Sequence, residues 1–259
     1  MNILVCVKQV PDAKDVRLDP KTNTLAREGV ESIMNPYDRH ALEEAVAIKE
    51  QQGGTVTVLT MGPPQAESVL REAIACGADD GVLISDRAFA GADTWATAYT
   101  LAMAVQALGE FDLILCGKQA IDGDTAQVGP GLACRLRVPY ATCVQKTRLV
   151  AARSIEVERM MDDGYDVVRL PLPALMTVVK DINEPRVASL KGKMKAKKAE
   201  IRQLSAADIG ADPRCIGLAG SPTQVVRVFS PEARGDRKVF SGSVAEPVDQ
   251  LVECLRAPP

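Results

Sequence analysis

Residues 117–129, GKQAIDGDTAQVG, have the types and spacing best suited to chemistry in this chain. The segment leaves the C-terminal end of an apolar, strand-like run and ends inside a helical pattern. Glycines and small side chains there deliver backbone N–H groups and a helix N-terminus to one spot. Such a spot suits a phosphate. Asp122 and Asp124 run against an anion, yet Asp124 stands where a cap for the following helix belongs, and Asp122 can accept from a ribose hydroxyl. An ordinary strand-to-helix turn is the plain alternative on spacing alone. The segment matches neither the Walker pattern, because no GK[ST] follows its glycines, nor the GxGxxG dinucleotide fingerprint. Two neighbouring motifs offer supporting groups. The peptide beside Gly62, in Met61-Gly62-Pro63-Pro64, can come close to a flat ring. Asn35-Pro36-Tyr37-Asp38 precedes a long helical pattern, and Asn35-Pro36 is already explained as a helix entry.

Other chemistries find little support. His40 is the single histidine, and its charge-rich helix start reads as a solvated face rather than a catalytic site. The seven cysteines (Cys6, Cys76, Cys116, Cys134, Cys143, Cys215, Cys254) form no CxxC pair, so their spacing gives no zinc or iron–sulfur site. Trp95 and Tyr99, four apart on a helix, read as packing. Lys191, Lys193, Lys195, Lys197 and Lys198 read as a solvated basic face without the aromatic interleaving that nucleic acid calls for.

The elements that must position these residues follow from periodicity. Strand-like runs occur at 2–8, 55–61, 80–86 and 112–117, with helical patterns between them. This alternation predicts a parallel sheet covered by helices, with strands 2–8, 55–61 and 112–117 lining one pocket at their C-terminal ends. A fourth helix is expected in DTAQVGPGLACRLR. The long stretch 9–34 suggests a small hairpin around DPKTNT. After Pro139, TRLVAARSIEVERMM and YDVVRLPLP alternate as two antiparallel edge strands about the DDG turn, and 174–179 reads as one more core strand. The expectation is a mostly parallel, doubly wound α/β domain over 1–184. The region 185–259 is expected to be an extended arm, whose apolar Ile216, Leu218, Val225, Val226, Val228 and Phe229 lie on a partner chain.

A net charge of −3 gives no reason to expect nucleic acid. No apolar run of roughly 18 residues suggests a transmembrane segment. The first residues enter a strand-like run with no leader features, so the chain is expected in the cytoplasm.

Five blocks, VCVKQVPD, SIMNPYDRHALEEAVAIKE, MGPPQAESVLREAIACGAD, LILCGKQAIDGDTAQVGP and INEPRVASLKGKMKAKKAEI, resemble in order and spacing the β subunit of electron transfer flavoproteins. The resemblance covers nearly the whole chain. It implies an adenine nucleotide alpha hydrolase-like fold and a heterodimer with an α subunit whose mobile domain carries a redox-active FAD. It also implies an adenine nucleotide held by Cys6, Asn35, Pro36, Tyr37, Asp38 and Met61, beside Gly62, and by the run Gly117, Lys118, Gln119, Ala120, Ile121, Asp122, Gly123, Asp124, Thr125, Ala126, Gln127 and Val128. In most members that nucleotide is AMP; in electron-bifurcating members it is a second FAD, reduced by NADH.

The run SDRAFAGADTWATAYTLA and the DGDTAQVGP loop resemble the bifurcating group. Asp93, Thr94 and Thr97 become candidate contacts for FAD, with room for it beside Gly91-Ala92. Electrons would then pass to ferredoxin or flavodoxin and, through the α subunit, to an acyl-CoA dehydrogenase. Leu190 resembles the anchor of the family's recognition loop, flanked by lysines. One departure stands out: Met160 occupies the place of a glutamate that in much of the family helps govern motion of the flavin domain. Two rivals remain. One is a non-bifurcating member holding AMP; the other is a stand-alone adenine-nucleotide hydrolase or stress-type protein, which predicts a stable monomer with ATP turnover.

Overall fold

The computed structural model describes residues 1–12, 17–19, 24–26, 32–151, 153–226 and 239–256. Among these described residues thirteen strands follow in chain order: β1 (Asn2–Cys6), β2 (Gln9–Pro11), β3 (Arg17–Asp19), β4 (Thr24–Ala26), β5 (Ser32–Met34), β6 (Thr55–Met61), β7 (Asp80–Ile84), β8 (Leu113–Gly117), β9 (Tyr140–Ala151), β10 (Ser154–Met161), β11 (Gly164–Pro171), β12 (Ala174–Val178) and β13 (Arg202–Leu204). The helices are α1 (Pro36–Gln52), α2 (Glu67–Ala75), α3 (Thr94–Leu108), α4 (Val128–Leu136), α5 (Leu190–Lys198) and α6 (Ala245–Arg256).

Nine strands form one sheet in the order β11-β10-β9-β12-β8-β1-β6-β7-β13. Pairing is parallel from β9 through β13 and antiparallel at the β9–β10–β11 edge. Alternation along β1 shows how both faces are filled: Ile3 and Val5 pack with Leu42, Val46, Leu70 and Ile74 of α1 and α2, whereas Leu4 and Cys6 pack with Leu101 and Leu132 of α3 and α4. The sheet is therefore doubly wound. From β1 the chain moves through β6 and β7 in one direction, then returns to β8 on the other side, so the topological switch lies between β1 and β8.

Several sequence expectations are refined. The run TRLVAARSIEVERMM is not one strand: β9 ends at Ala151 and β10 resumes at Ser154, giving three antiparallel edge strands. The fourth helix starts at Val128 rather than at Asp124. β3 and β4 pair as an antiparallel ribbon, while the turn expected at DPKTNT lies outside the described residues, as do Val228 and Phe229; of the residues expected on a partner chain, Ile216 is instead buried in this chain's own core, and Val225 and Val226 are exposed.

The chain after 184 stays attached to the sheet at first. α5 lies on α2 with Ala196 buried, and Arg71 of α2 donates to the carbonyls of Ala196 (2.6 Å) and Ala199 (3.3 Å) at its C-terminal end. β13 then adds a parallel strand outside β7. The lead-in is pinned by Arg186, which forks onto Glu43 (2.8 and 2.9 Å) and Glu50 (2.6 and 3.1 Å) of α1. Glu50 and Glu43 together push the guanidinium pKa further up. Arg186→Ala leaves both carboxylates without this partner. Solvent reaches the cluster, so a cost of about 1–2 kcal/mol is expected, read as a lower denaturation midpoint with an unchanged slope.

Candidate functional site

The crevice at the switch is built by two strands that part. Cys6 and Cys116 are the last residues of β1 and β8 in register. Beyond them β1 keeps its bond to β6 (Val7 N–H to Leu59 O, 2.9 Å), and β8 keeps its bond to β12 (Lys118 N–H to Val178 O, 2.8 Å). The parting removes the backbone acceptors that Lys8 and Gly117 would otherwise find across the ladder. Asp38, only 6% exposed, fills the gap: Oδ2 accepts from Lys8 N–H (2.7 Å) and Oδ1 from Gly117 N–H (3.1 Å). Burial pushes its carboxyl up to about 7 in spite of these donors. Gly117 must be glycine, because a β-carbon there would overlap Asp38 Oδ1 and sit 2.6 Å from Tyr37 Cβ.

Asn35 precedes α1 but does not cap it with its side chain; Pro36 begins the helix in its place. The side chain instead braces the loop after β8, donating to Gln119 O (2.9 Å) and accepting from Ile121 N–H (3.2 Å). Lys8 reaches the same loop and pairs with Asp122 at 2.7 Å. Gln119 donates to Asp124. Asp124 and Ala126 both lie in the left-handed region, with φ of 52° and 55°. α4 therefore cannot begin before Val128, and Asp124 does not cap it. Its N-cap is Gln127, which makes no side-chain cap bond. The N-terminus of α4 is thus left with donors for an anion, behind a loop whose residues 122–125 are exposed.

Cys6 forms the buried floor on the α3–α4 face, and Met61 stands half-buried at the end of the adjacent β6. The N–H of Gly62 is committed to Ile84 O (3.0 Å), so it ties β6 to β7. Thr94 joins the site through Gln127, donating to its side-chain oxygen at 2.8 Å. Thr97 lies one turn further along α3, its N–H bonded to Asp93 O.

Asp93 has other work. Its carboxylate caps α3 through Trp95 and Ala96 N–H (2.9 and 3.0 Å) and accepts from Thr223 N–H and Oγ (3.1 and 2.9 Å). Against a desolvation that would raise it, the Ala96 and Thr223 donors hold this carboxyl below its usual range. Ser221, buried nearby, accepts from Asp93 N–H at 2.8 Å. Leu218 lies beside Gly91, its Cβ 3.4 Å from where a Gly91 β-carbon would stand, an ordinary contact distance. Lys8, Leu218, Ser221 and Thr223 were not legible as site residues. Lys8 offered one signal, its place just past the end of a core strand.

Other singled-out residues lie elsewhere. Half-buried His40 bonds through Nδ1 to Asn183 O (3.0 Å), so it is not simply a solvated face. Trp95 is 62% exposed and carries the Arg135 guanidinium 4.3 Å above its ring, an outward stack rather than core packing. Tyr99 accepts from Asp212 N–H (3.0 Å). Leu190, 78% exposed, opens α5, with exposed Val187 and Met194 near it in sequence. Met160 pairs with Tyr165 on the edge hairpin, both outside the core.

The comparisons agree with this architecture. A family profile described as "Electron transfer flavoprotein domain" matches residues 22–209. The chain is 50% identical to an electron transfer flavoprotein subunit beta of Thermoanaerobacterium thermosaccharolyticum, covering 99% of this chain and 98% of that protein. It is 51% identical to the caffeyl-CoA reductase-Etf complex subunit CarD of Acetobacterium woodii, again over 99% and 98%. It is 49% identical to the protein FixA of Azorhizobium caulinodans, over 97% of this chain and 92% of that protein. No helix among the described residues is long and apolar enough to cross a membrane.

Proposed function

Because the chain belongs to the electron transfer flavoprotein family, as its β subunit, we propose that the crevice between β1 and β8 holds the adenosine-phosphate half of a nucleotide, and that this nucleotide is FAD. Membership brings a flavin-based electron-transfer role and an α subunit as partner. The observation that carries the nucleotide reading is the parting of the two strands beneath the uncapped N-terminus of α4. A phosphate there would meet helix amides with a favourable dipole, and the exposed 122–125 loop would close over it. The charge of Asp122 is set against Lys8 rather than against the anion. Cys6 and Met61 would form an apolar floor and wall, and Tyr37 and Asn35 would fix the loop.

Bound FAD supplies the capacity to accept a hydride from NADH and to release electrons singly. The protein's part is to bind, orient and exclude water; no side chain of the crevice has to act as nucleophile or general acid. Support for FAD comes from the sequence run 85–102 and from half identity to a subunit named for a complex with a CoA-ester reductase. Electrons would divide between ferredoxin or flavodoxin and, through the α subunit, an acyl-CoA dehydrogenase. Leu190, with Val187, Met194 and the lysines of α5, would dock that dehydrogenase. A limited apolar contact ringed by charge favours fast encounter and fast release. The C-terminal arm would lie on the α subunit, with Val248, Leu251, Val252 and Leu255 of α6 as its apolar stripe.

One observation favours a second reading, a non-bifurcating subunit with AMP. Leu218 sits over Gly91, where FAD beyond its adenosine half would need room. Purified heterodimer is expected to contain two FAD and no AMP, and to bleach with NADH. One FAD with one AMP, and no bleaching, would retire bifurcation and leave a docking scaffold.

A further inference from the structure

We infer that Asp38 is a positioning residue, a wedge whose carboxylate holds the ends of β1 and β8 apart at the width the nucleotide needs, rather than a ligand of the nucleotide itself. The inference rests on the nucleotide reading of the crevice. Its structural part stands independently, on two hydrogen bonds and the pattern of strand pairing.

Where parallel strands separate, each loses one ladder partner, and an orphaned buried N–H is costly. Here the two orphans, Lys8 N–H and Gly117 N–H, face one another across the opening. A single carboxylate accepts both, one oxygen each, at 2.7 and 3.1 Å. A carboxylate is the side-chain group that accepts at both ends; an amide offers an acceptor at one end and a donor at the other. With both oxygens occupied and the residue buried, Asp38 has little left for a ligand. Its position is fixed in turn by α1, since its own N–H bonds to Asn35 O at 2.9 Å, and Asn35 grips the loop. Strand ends, helix start and loop are thus registered to one another through one side chain.

Protonation should weaken the wedge, because an O–H then points at an N–H it cannot accept from. The titratable and charged groups around Asp38 are Lys8 with its partner Asp122, the Cys6 and Cys116 thiols on the two strands, and Tyr37 with Lys180 over its ring. None of these replaces either acceptor oxygen.

The test uses the intact heterodimer with its α subunit, comparing wild type with Asp38→Asn and Asp38→Ala. Amide exchange is followed first, without added nucleotide. Lys8 and Gly117 should both exchange at least tenfold faster in Asp38→Ala, and at least one of the two should do so in Asp38→Asn, whose amide keeps a single acceptor, while the ladder amides of β1 and β8 stay protected. Affinity for added AMP is then measured from pH 6 to 9 on nucleotide-stripped protein. The advantage of wild type over Asp38→Asn should be about tenfold at high pH and shrink as pH falls through about 7. Ionisation of the AMP phosphate is common to both proteins and cancels in the ratio. Unchanged exchange at the two amides overturns the wedge, as does a ratio that stays flat or rises at low pH. If wild type binds no AMP at all, the nucleotide reading fails, and the exchange result still decides the role of Asp38.

Discussion

Gly117→Ala is expected to leave the heterodimer with less than a tenth of its nucleotide affinity and to lower its stability measurably. The added β-carbon would overlap Asp38 Oδ1 and stand 2.6 Å from Cβ and 2.8 Å from the carbonyl carbon of Tyr37. Tyr37 and Asp38 belong to the first turn of α1, and Gly117 ends a strand buried on both faces, so neither side can give way freely. Overpacking of this kind costs about 1–3 kcal/mol. Relief by displacing Asp38 would also strip the amides of Lys8 and Gly117 of their acceptor. Either route reshapes the opening. Equilibrium dialysis with AMP and denaturant unfolding of the same sample check both expectations; near-normal affinity would mean that the opening tolerates more than its geometry suggests.

The second large effect is expected at Gly192→Ala. In a helix interior this exchange ordinarily gains about 1 kcal/mol, so propensity alone predicts stabilisation. Contact decides otherwise. A β-carbon at 192 would overlap the carbonyl oxygen of Ala75 and lie 3.0 Å from its carbonyl carbon, and backbone at the end of α2 cannot rotate aside. α5 has to lift, which exposes Ala196 and breaks the bonds from Arg71 to Ala196 O and from Lys195 to Ala78 O. Limited trypsin digestion should then cut among Lys191, Lys193, Lys195, Lys197 and Lys198 roughly tenfold faster, since cleavage follows the population of the opened form. If Leu190 docks a dehydrogenase as proposed, electron transfer to it falls in parallel, while NADH bleaching is spared. Cleavage at the wild-type rate would show that α5 and α2 can separate without cost.

Much of the fold was legible because its signals were local. Short apolar runs between helical patterns gave the parallel strands, and the alternation of Ile3 and Val5 against Leu4 and Cys6 is the double winding written in four residues. The crevice could be placed because its loops leave neighbouring strand ends. What escaped depended on distance or on backbone conformation. Left-handed φ at Asp124 and Ala126 delays α4 to Val128, and nothing in DGDTAQ announces it at residues that are not glycine. The turn between β9 and β10 is hidden because period-two alternation runs through TRLVAARSIEVERMM without Gly or Pro. Asp93 looked free because Thr223, the residue that occupies it, is 130 positions away. Trp95 and Tyr99 had the spacing of a core pair, yet only the Arg135 stack explains why the indole faces outward.

The strand order also carries a consequence for biosynthesis. β7 ends at Ile84, but the segment that covers its outer side, β13, begins only at Arg202. A nascent chain therefore exposes an open row of peptide groups on Val82, Leu83 and Ile84 while more than a hundred further residues are translated. Truncation upstream of 202 should yield a polypeptide that adds to other copies of itself, whereas extension past Leu204 should suppress that self-association before the α subunit is ever met.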